Sequence, residues 1–129
     1  MDFRSALLAS MIAGASLATA LPVAAASAPR QCFMLNQLQG TRPDGDRTVY
    51  ARVGAKQIFR LDLAHRCPAL LSREGIVLIP AGGKNEICTG LDVDLRAREL
   101  GGGSVPCAIA GITRLTPEEA AALPPKARP

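Results

Sequence analysis

His65 is the only histidine of the 129-residue chain, and a Ser-His-Asp hydrolase would have to use it as the general base. The available nucleophiles Ser27, Ser72 and Ser104 lie in ordinary polar contexts that match no nucleophile motif. His65 itself stands in a polar break, Ala64-His65-Arg66. We therefore predict a solvated loop histidine, and the sequence assigns no catalytic residue.

Two pairs of carboxylates have the residue type that a hard cation needs. Asp44 and Asp46 lie in a glycine-containing turn, and Asp92 and Asp94 lie two positions apart on a predicted strand. Calcium loops add further oxygen ligands and a late Glu at a defined spacing, and both pairs lack these. A glycosidase with paired carboxylates would need a substrate cleft lined with aromatic rings, but only three rings follow residue 26. We predict turn chemistry for the first pair, a solvated strand face for the second, and no metal site.

The segment Ala81-Gly82-Gly83-Lys84 has the glycines and the lysine of a phosphate-binding loop. A P-loop has more widely spaced glycines and a Ser or Thr after the lysine, whereas Asn85 follows here. We therefore predict an ordinary loop, and the sequence predicts no cofactor.

One exposed strand face could bind an anionic polymer. Tyr50, Arg52 and Arg60 are its candidate residues, and they could contact an anionic glycan or a nucleic acid. Single-stranded nucleic acid is bound by several stacking aromatic rings beside a basic groove. The net charge of +4 is mild and contains no run of adjacent basic residues, so we expect no nucleic-acid partner.

Four cysteines, Cys32, Cys67, Cys88 and Cys107, are separated by 35, 21 and 19 positions. Zinc sites present their cysteines in closely spaced pairs, and no CxxC motif of a thiol oxidoreductase occurs. The even number predicts two structural disulfides formed in an oxidising compartment. Three pairings are possible, and we favour the nested one, Cys32 with Cys107 and Cys67 with Cys88. It would place the first and last strands side by side.

The first 26 residues have the pattern of a cleavable signal peptide. Arg4 precedes the apolar stretch Ala6–Leu21, and the small residues Ala24-Ala25-Ala26 precede a predicted cleavage site before Ser27. The alternative is a membrane anchor, but the stretch is shorter than the roughly 20 residues that span a bilayer and is rich in alanine. We therefore predict residues 27–129 to form one small exported domain, periplasmic or secreted, with no membrane span after processing.

Short apolar–polar alternations separated by turn residues predict a mainly β fold. The clearest are Thr48–Val53 and Gln57–Leu63, and Leu91, Val93 and Leu95 suggest a further strand. Further strands are predicted at Phe33–Gly40, Ile76–Ile79, Glu86–Cys88 and Val105–Leu115. Thr116-Pro117-Glu118-Glu119 predicts the start of a short C-terminal helix. We expect a small closed or half-closed antiparallel barrel or sheet of about six strands.

The order of these features from Cys32 onward resembles a bacterial, proteobacterial family of small exported proteins whose function is unassigned. The resemblance extends over nearly the whole of residues 27–129 and is most specific at the four cysteines and their surroundings. Its matching segments are Asp44–Thr48, Phe59–Leu63, Cys67–Leu70, Ile87–Cys88, Leu91–Val93, Cys107–Ile109, Ile112 and Leu115–Glu119. The resemblance implies no catalytic residue. It also implies that many relatives are lipoproteins, whereas this chain has no cysteine placed to accept a lipid.

Taken together, these features predict an exported, disulfide-stabilised domain without enzymatic activity. We expect it to bind a cell-envelope protein or polymer through its sheet face or its loops. The alternatives are an unrecognised enzyme or metal-dependent activity, weak binding of an anionic glycan or nucleic acid, and an envelope factor of the stress response.

Overall fold

The computed structural model describes residues 31–129. The predicted signal peptide of residues 1–26 and its cleavage site lie outside the described residues. The described part contains nine β-strands and one short α-helix. In chain order these are β1 (Phe33–Met34), β2 (Leu38–Asp44), β3 (Thr48–Val53), β4 (Gln57–Leu63), β5 (Ile76–Pro80), β6 (Glu86–Ile87), β7 (Val93–Arg98), β8 (Ser104–Pro106), β9 (Ile109–Arg114) and α1 (Pro117–Ala121).

The strands form three antiparallel sheets, in the orders β2-β3-β4-β9, β5-β7-β8 and β1-β6. The predicted mainly β class with a short helix and two disulfides is therefore confirmed. The sheets do not close into a barrel. The strand number is nine because two of the seven predicted segments, Phe33–Gly40 and Val105–Leu115, are each divided into two strands.

The three sheets share one hydrophobic core. Val49, Ala51 and Val53 of β3 are buried, while the residues between them on the same strand face outward. The same alternation holds on β4 and β7, because successive side chains of a strand point to opposite faces. Phe33 and Phe59 bring two of the few rings together at 5.1 Å between centroids. Leu, Ile, Val and Ala supply most of the remaining core.

Hydrogen bonding explains both divided strands. The first predicted strand is interrupted by a tight helical turn at Leu35–Gln37, in which the Leu38 amide donates to the Leu35 carbonyl. The last one is divided at Cys107, whose amide still donates to Leu95 of β7. The carbonyl of the next residue, Ala108, accepts from Ala64, just beyond β4. The chain thus passes from one sheet to another between residues 107 and 108.

The disulfides are Cys32–Cys88 and Cys67–Cys107, so the predicted nested pairing is wrong. β1 pairs with β6, not with β9, and Phe33 lies opposite Ile87. Continuing this antiparallel register by one position places Cys32 opposite Cys88, where the Cα atoms are 4.1 Å apart.

The second disulfide follows from the pairing of β4 with β9. Leu63 at the end of β4 lies opposite Ile109 at the start of β9. Cys67 follows β4 and Cys107 precedes β9, so their Cα atoms lie 5.9 Å apart. This bond therefore lies where the chain crosses between the two larger sheets. Two disulfides and no free cysteine indicate an oxidising, non-cytoplasmic compartment.

The proline-rich C-terminal segment is ordered and packs on the domain. Thr116 Oγ1 accepts a hydrogen bond from Glu119 N and caps α1, as its sequence predicts. Beyond the helix, Leu123 and Ala127 are buried although they lie outside the main core. The Arg42 side chain of β2 donates to the carbonyl of Arg128 at 3.3 Å. The segment thus connects β9 and β2, the two edge strands of the four-stranded sheet.

Gly90 packs against the backbone of β9 more closely than any side chain permits. A Cβ atom at this position would lie 2.0 Å from the carbonyl oxygen of Ile109. We expect Gly90→Ala to lower the free energy of unfolding by about 1–3 kcal/mol, because the backbone must move to relieve the overlap. Gly111→Ala is the matched control, since its Cβ would meet no atom within 4 Å. Equal urea midpoints for the two variants would contradict the close approach.

Candidate functional site

The structure gives the candidate residues His65 and Asp46 different environments. His65 is exposed in the loop after β4, in agreement with the prediction of a solvated residue. Asp46 accepts a hydrogen bond from the Arg66 side chain at 2.7 Å, and its backbone carbonyl accepts from Cys67 N at 2.7 Å. Asp46 therefore fixes the loop that carries Cys67.

Leu91 and Asp92 do not lie on a strand. The predicted strand through Leu91, Asp92 and Asp94 is therefore wrong for Leu91 and Asp92. The Oδ2 atom of Asp92 accepts hydrogen bonds from Cys88 N at 3.0 Å and from Thr89 N at 2.8 Å. These bonds turn the chain, and β7 begins only at Val93. Leu91 is consequently 90% exposed instead of buried.

The hydrogen bonds also set the ionisation of Asp92. The Cys88 amide, and next the Thr89 amide, lower the pKa of the Asp92 carboxyl below its ordinary value of 3.8. Asp92 is therefore ionised at neutral pH and has a structural role. Asp94 lies on the outward face of β7, as predicted, where Arg96 donates to it at 3.2 Å.

The glycine-rich segment 81–84 is an exposed connection after β5. Lys84 lies 4.0 Å from Asp92, a charged pair in which the lysine side chain is 70% exposed. Exposed pairs of this kind contribute little to stability. The structure thus places this segment in a loop, as predicted.

A row of four side chains crosses the outer face of the four-stranded sheet, and we call it the Tyr50 row. Arg42, Tyr50, Arg60 and Thr113 occupy directly opposed positions on β2, β3, β4 and β9. They face away from the core because both neighbours of Tyr50 along β3 are fully buried. Directly opposed residues of antiparallel strands have Cβ atoms about 5 Å apart. The row therefore runs unbroken across the four strands, and at its β2 end the Arg42 side chain is bonded to the C-terminal segment.

The charges around the Tyr50 row are separated by sign. Asp44 and Asp62 lie on one side of the row, each two positions from the row residue of its own strand. Arg52 is exposed and lies on the other side, two positions from Tyr50. Arg60 donates to Asp62 at 3.1 Å, and both side chains are about 40% exposed. Within residues 31–129, Arg52 makes no ion pair. The face can therefore offer the Arg52 guanidinium to an anion.

Tyr50 is a neutral hydrogen-bonding group on this face. Partial burial is the main cause of a raised pKa for its phenol, whose ordinary value is 10.0. Asp44 raises the pKa further, while Arg60 lowers it and Asp62 raises it. A phenol with a raised pKa remains protonated at neutral pH, so Tyr50 is suited to binding by hydrogen bonds and poorly suited to act as a base or nucleophile.

We expect the ultraviolet titration of Tyr50, the only tyrosine, to have a midpoint above 10.0. Because the folded-state pKa is raised, the contribution of Tyr50 to stability is fully present below the unfolded-state pKa. It is lost as the pH rises through the folded-state pKa. The Asp44→Asn variant should titrate at lower pH than the wild type. A wild-type midpoint at or below 10.0 would show that the phenol is not desolvated beside Asp44.

Sequence reasoning missed two members of the row, Arg42 and Thr113, whereas it identified Tyr50 and Arg60 of the row and Arg52 beside it. The signal for Arg42 was the turn at Pro43-Asp44-Gly45. A tight turn fixes the register of its hairpin, and the register of this hairpin places Arg42 opposite Tyr50.

Three potential metal ligands also lie together beside β6. The sulfur atoms of Cys32 and Cys88 and a carboxylate oxygen of Glu86 are within 4.8 Å of one another. The two sulfur atoms are bonded to each other, and a metal is bound by the thiolate form of cysteine. In the oxidised protein this group is therefore part of a disulfide.

Among residues 31–129 no helix has the length and apolar character needed to cross a membrane. No curated protein and no solved structure matches the chain. Residues 3–129 match a family described as a family of unknown function, DUF6491. Because the match extends over nearly the whole chain, the protein is a disulfide-stabilised member of the DUF6491 family.

Proposed function

We propose that the protein is an exported binding component of the bacterial cell envelope, without enzymatic activity, and that it contacts an anionic envelope polymer through the Tyr50 row and Arg52. The observation that carries this proposal is the juxtaposition of the half-buried, neutral Tyr50 phenol with the half-buried Arg60 and the exposed Arg52 on one outward sheet face. Guanidinium groups form strong, directed hydrogen bonds with carboxylates and phosphates. A phenol adds an apolar ring and a hydroxyl.

The scaffold also supports a binding role. The strands that carry the row are held from behind by a core of fully buried residues, including Val49, Ala51 and Leu61. At one end of the sheet, β4 and β9 lead into the Cys67–Cys107 disulfide. Side chains on such strands keep their spacing when a ligand binds, which reduces the entropic cost of association.

Export follows, in this proposal, from the signal peptide predicted at residues 1–26 together with the two disulfides. The periplasm or the external medium would provide both the oxidising conditions and the polymer. Fractionation of the source cells should recover the protein outside the cytoplasm. Recovery of a reduced protein from the cytoplasm would overturn this part of the proposal.

Co-sedimentation with purified peptidoglycan, an anionic envelope polymer, tests the binding role. We expect the wild type to sediment with the polymer and Arg52→Ala/Arg60→Ala to lose at least about tenfold in affinity, the effect of losing one charged hydrogen bond or more. The control Arg73→Ala/Arg98→Ala removes two exposed arginines outside this face and should bind as the wild type does.

Fluorescence provides a second readout of the same face. The chain has one tyrosine and no tryptophan, so its tyrosine emission reports on Tyr50 alone. Soluble polymer fragments should change this emission in the wild type and in the control double variant. Equal sedimentation of all three proteins, or no change in emission on binding, would contradict the assignment of this face.

A further inference from the structure

A cavity of about 550 Å³ lies where the β3–β4 turn meets the end of β9 and the start of α1, and no residue of the Tyr50 row lines it. Its volume is within the range of small-molecule sites, which is roughly 300–1,000 Å³. Part of its wall is apolar and is formed by Leu115, Pro117, Ala120 and the disulfide-bonded Cys32. The cavity can therefore bury part of an apolar ligand.

Two cations, Lys56 and Arg114, also line this cavity. Within the described part of the chain neither side chain forms an ion pair, because the four pairs found there involve other residues. The acidic residues of α1, Glu118 and Glu119, are exposed and do not line the cavity. The cavity thus combines apolar walls with an uncompensated positive charge.

The backbone near Arg114 is already satisfied. The Gln31 side chain accepts a hydrogen bond from the Arg114 amide. The Leu115 amide donates to the Ile58 carbonyl at 2.8 Å. A ligand would therefore find its charged partners in the Lys56 ammonium and the Arg114 guanidinium, and not in the surrounding backbone.

We infer that this cavity binds a small amphipathic carboxylate, with its head group between Lys56 and Arg114 and its hydrocarbon chain on the apolar wall. Charge complementarity selects the head group, because a guanidinium can hold a carboxylate through two hydrogen bonds. The apolar wall selects the chain, because each CH2 group removed from water contributes about 0.8 kcal/mol. The site is independent of the surface that we propose for envelope binding.

Nuclear magnetic resonance titration of the natively exported protein with decanoate tests this inference. We expect the largest amide shifts at Lys56, Gln57 and residues 114–120, which surround the cavity. Decanol has the same chain length without the charge and should bind at least about tenfold more weakly, since a charge-assisted hydrogen bond contributes that factor or more. The same loss is expected for decanoate with Lys56→Gln/Arg114→Gln.

Two controls separate this site from the Tyr50 row. Arg52→Ala/Arg60→Ala should bind decanoate as the wild type does, and Lys56→Gln/Arg114→Gln should still sediment with peptidoglycan. Absence of shifts, shifts scattered over the surface, or equal affinities for decanoate and decanol would overturn the inference.

Discussion

Cys67→Ser/Cys107→Ser should lower the free energy of unfolding by about 4 kcal/mol, because the bond closes a long loop in the unfolded chain. The two cysteines are 40 positions apart, and loops of this length lose much of their entropy when they are closed. Domains of this size have a total stability of about 5–15 kcal/mol. The variant should therefore be close to unfolding at physiological temperature.

Denaturation in urea, followed by circular dichroism, measures the effect. Cys32→Ser/Cys88→Ser is the matched comparison, since it removes a bond of similar separation, 56 positions, between two short strands. We expect a similar loss for it, because the entropic term changes only slowly with loop length. If either double variant had the stability of the wild type, that disulfide would not constrain the fold.

Phe59→Ala should destabilise the domain by about 3–5 kcal/mol, the usual cost of removing a buried phenylalanine ring. Phe59 lies on β4 with only 1% of its surface exposed, and its ring packs against Phe33. The composition makes the loss severe, because the chain has only three phenylalanines, one tyrosine and no tryptophan to fill space.

Leu91→Ala is the control for this prediction, because Leu91 is 90% exposed and its truncation removes little packing. We expect its stability to remain within about 0.5 kcal/mol of the wild type. A thermal or urea denaturation series that ranks Leu91→Ala below Phe59→Ala in stability would refute the assignment of the core.

The strands that the sequence predicts best are those with one buried and one solvated face. Thr48–Val53 and Gln57–Leu63 have the predicted bounds, since their alternation has the period of a strand and tight turns flank them. The Leu91–Leu95 alternation predicts a strand that begins two residues too early, because Leu91 and Asp92 belong to a turn. Asp92 bonds to the Cys88 and Thr89 amides, and this outweighs the pattern.

The disulfide pairing was not predictable from the cysteines alone. It depends on which strands are neighbours, and β1 pairs with the two-residue strand β6, which has too few residues for a periodic signal. Likewise, Pro106 and Cys107 read as part of one long strand, although the chain changes sheets there. These are long-range choices, made by packing and not by local propensity.

For the candidate surface, the sequence identified the outward residues but not their arrangement. Tyr50 and Arg52 are outward by alternation alone, whereas the contact between Tyr50 and Arg60 requires the register of β3 with β4. The cavity with Lys56 and Arg114 had no sequence signal, since its residues come from a turn, a strand end and a helix start. Only the tertiary structure brings them together.

Mass spectrometry of the natively exported protein, digested without reduction, is the most direct test of the central claim. That claim is that the protein is an exported domain cross-linked by two disulfides. We expect a mature N-terminus at Ser27 and two linked peptide pairs, one joining Cys32 to Cys88 and one joining Cys67 to Cys107. A folded protein that retains residues 1–26 and carries four alkylatable thiols would contradict it.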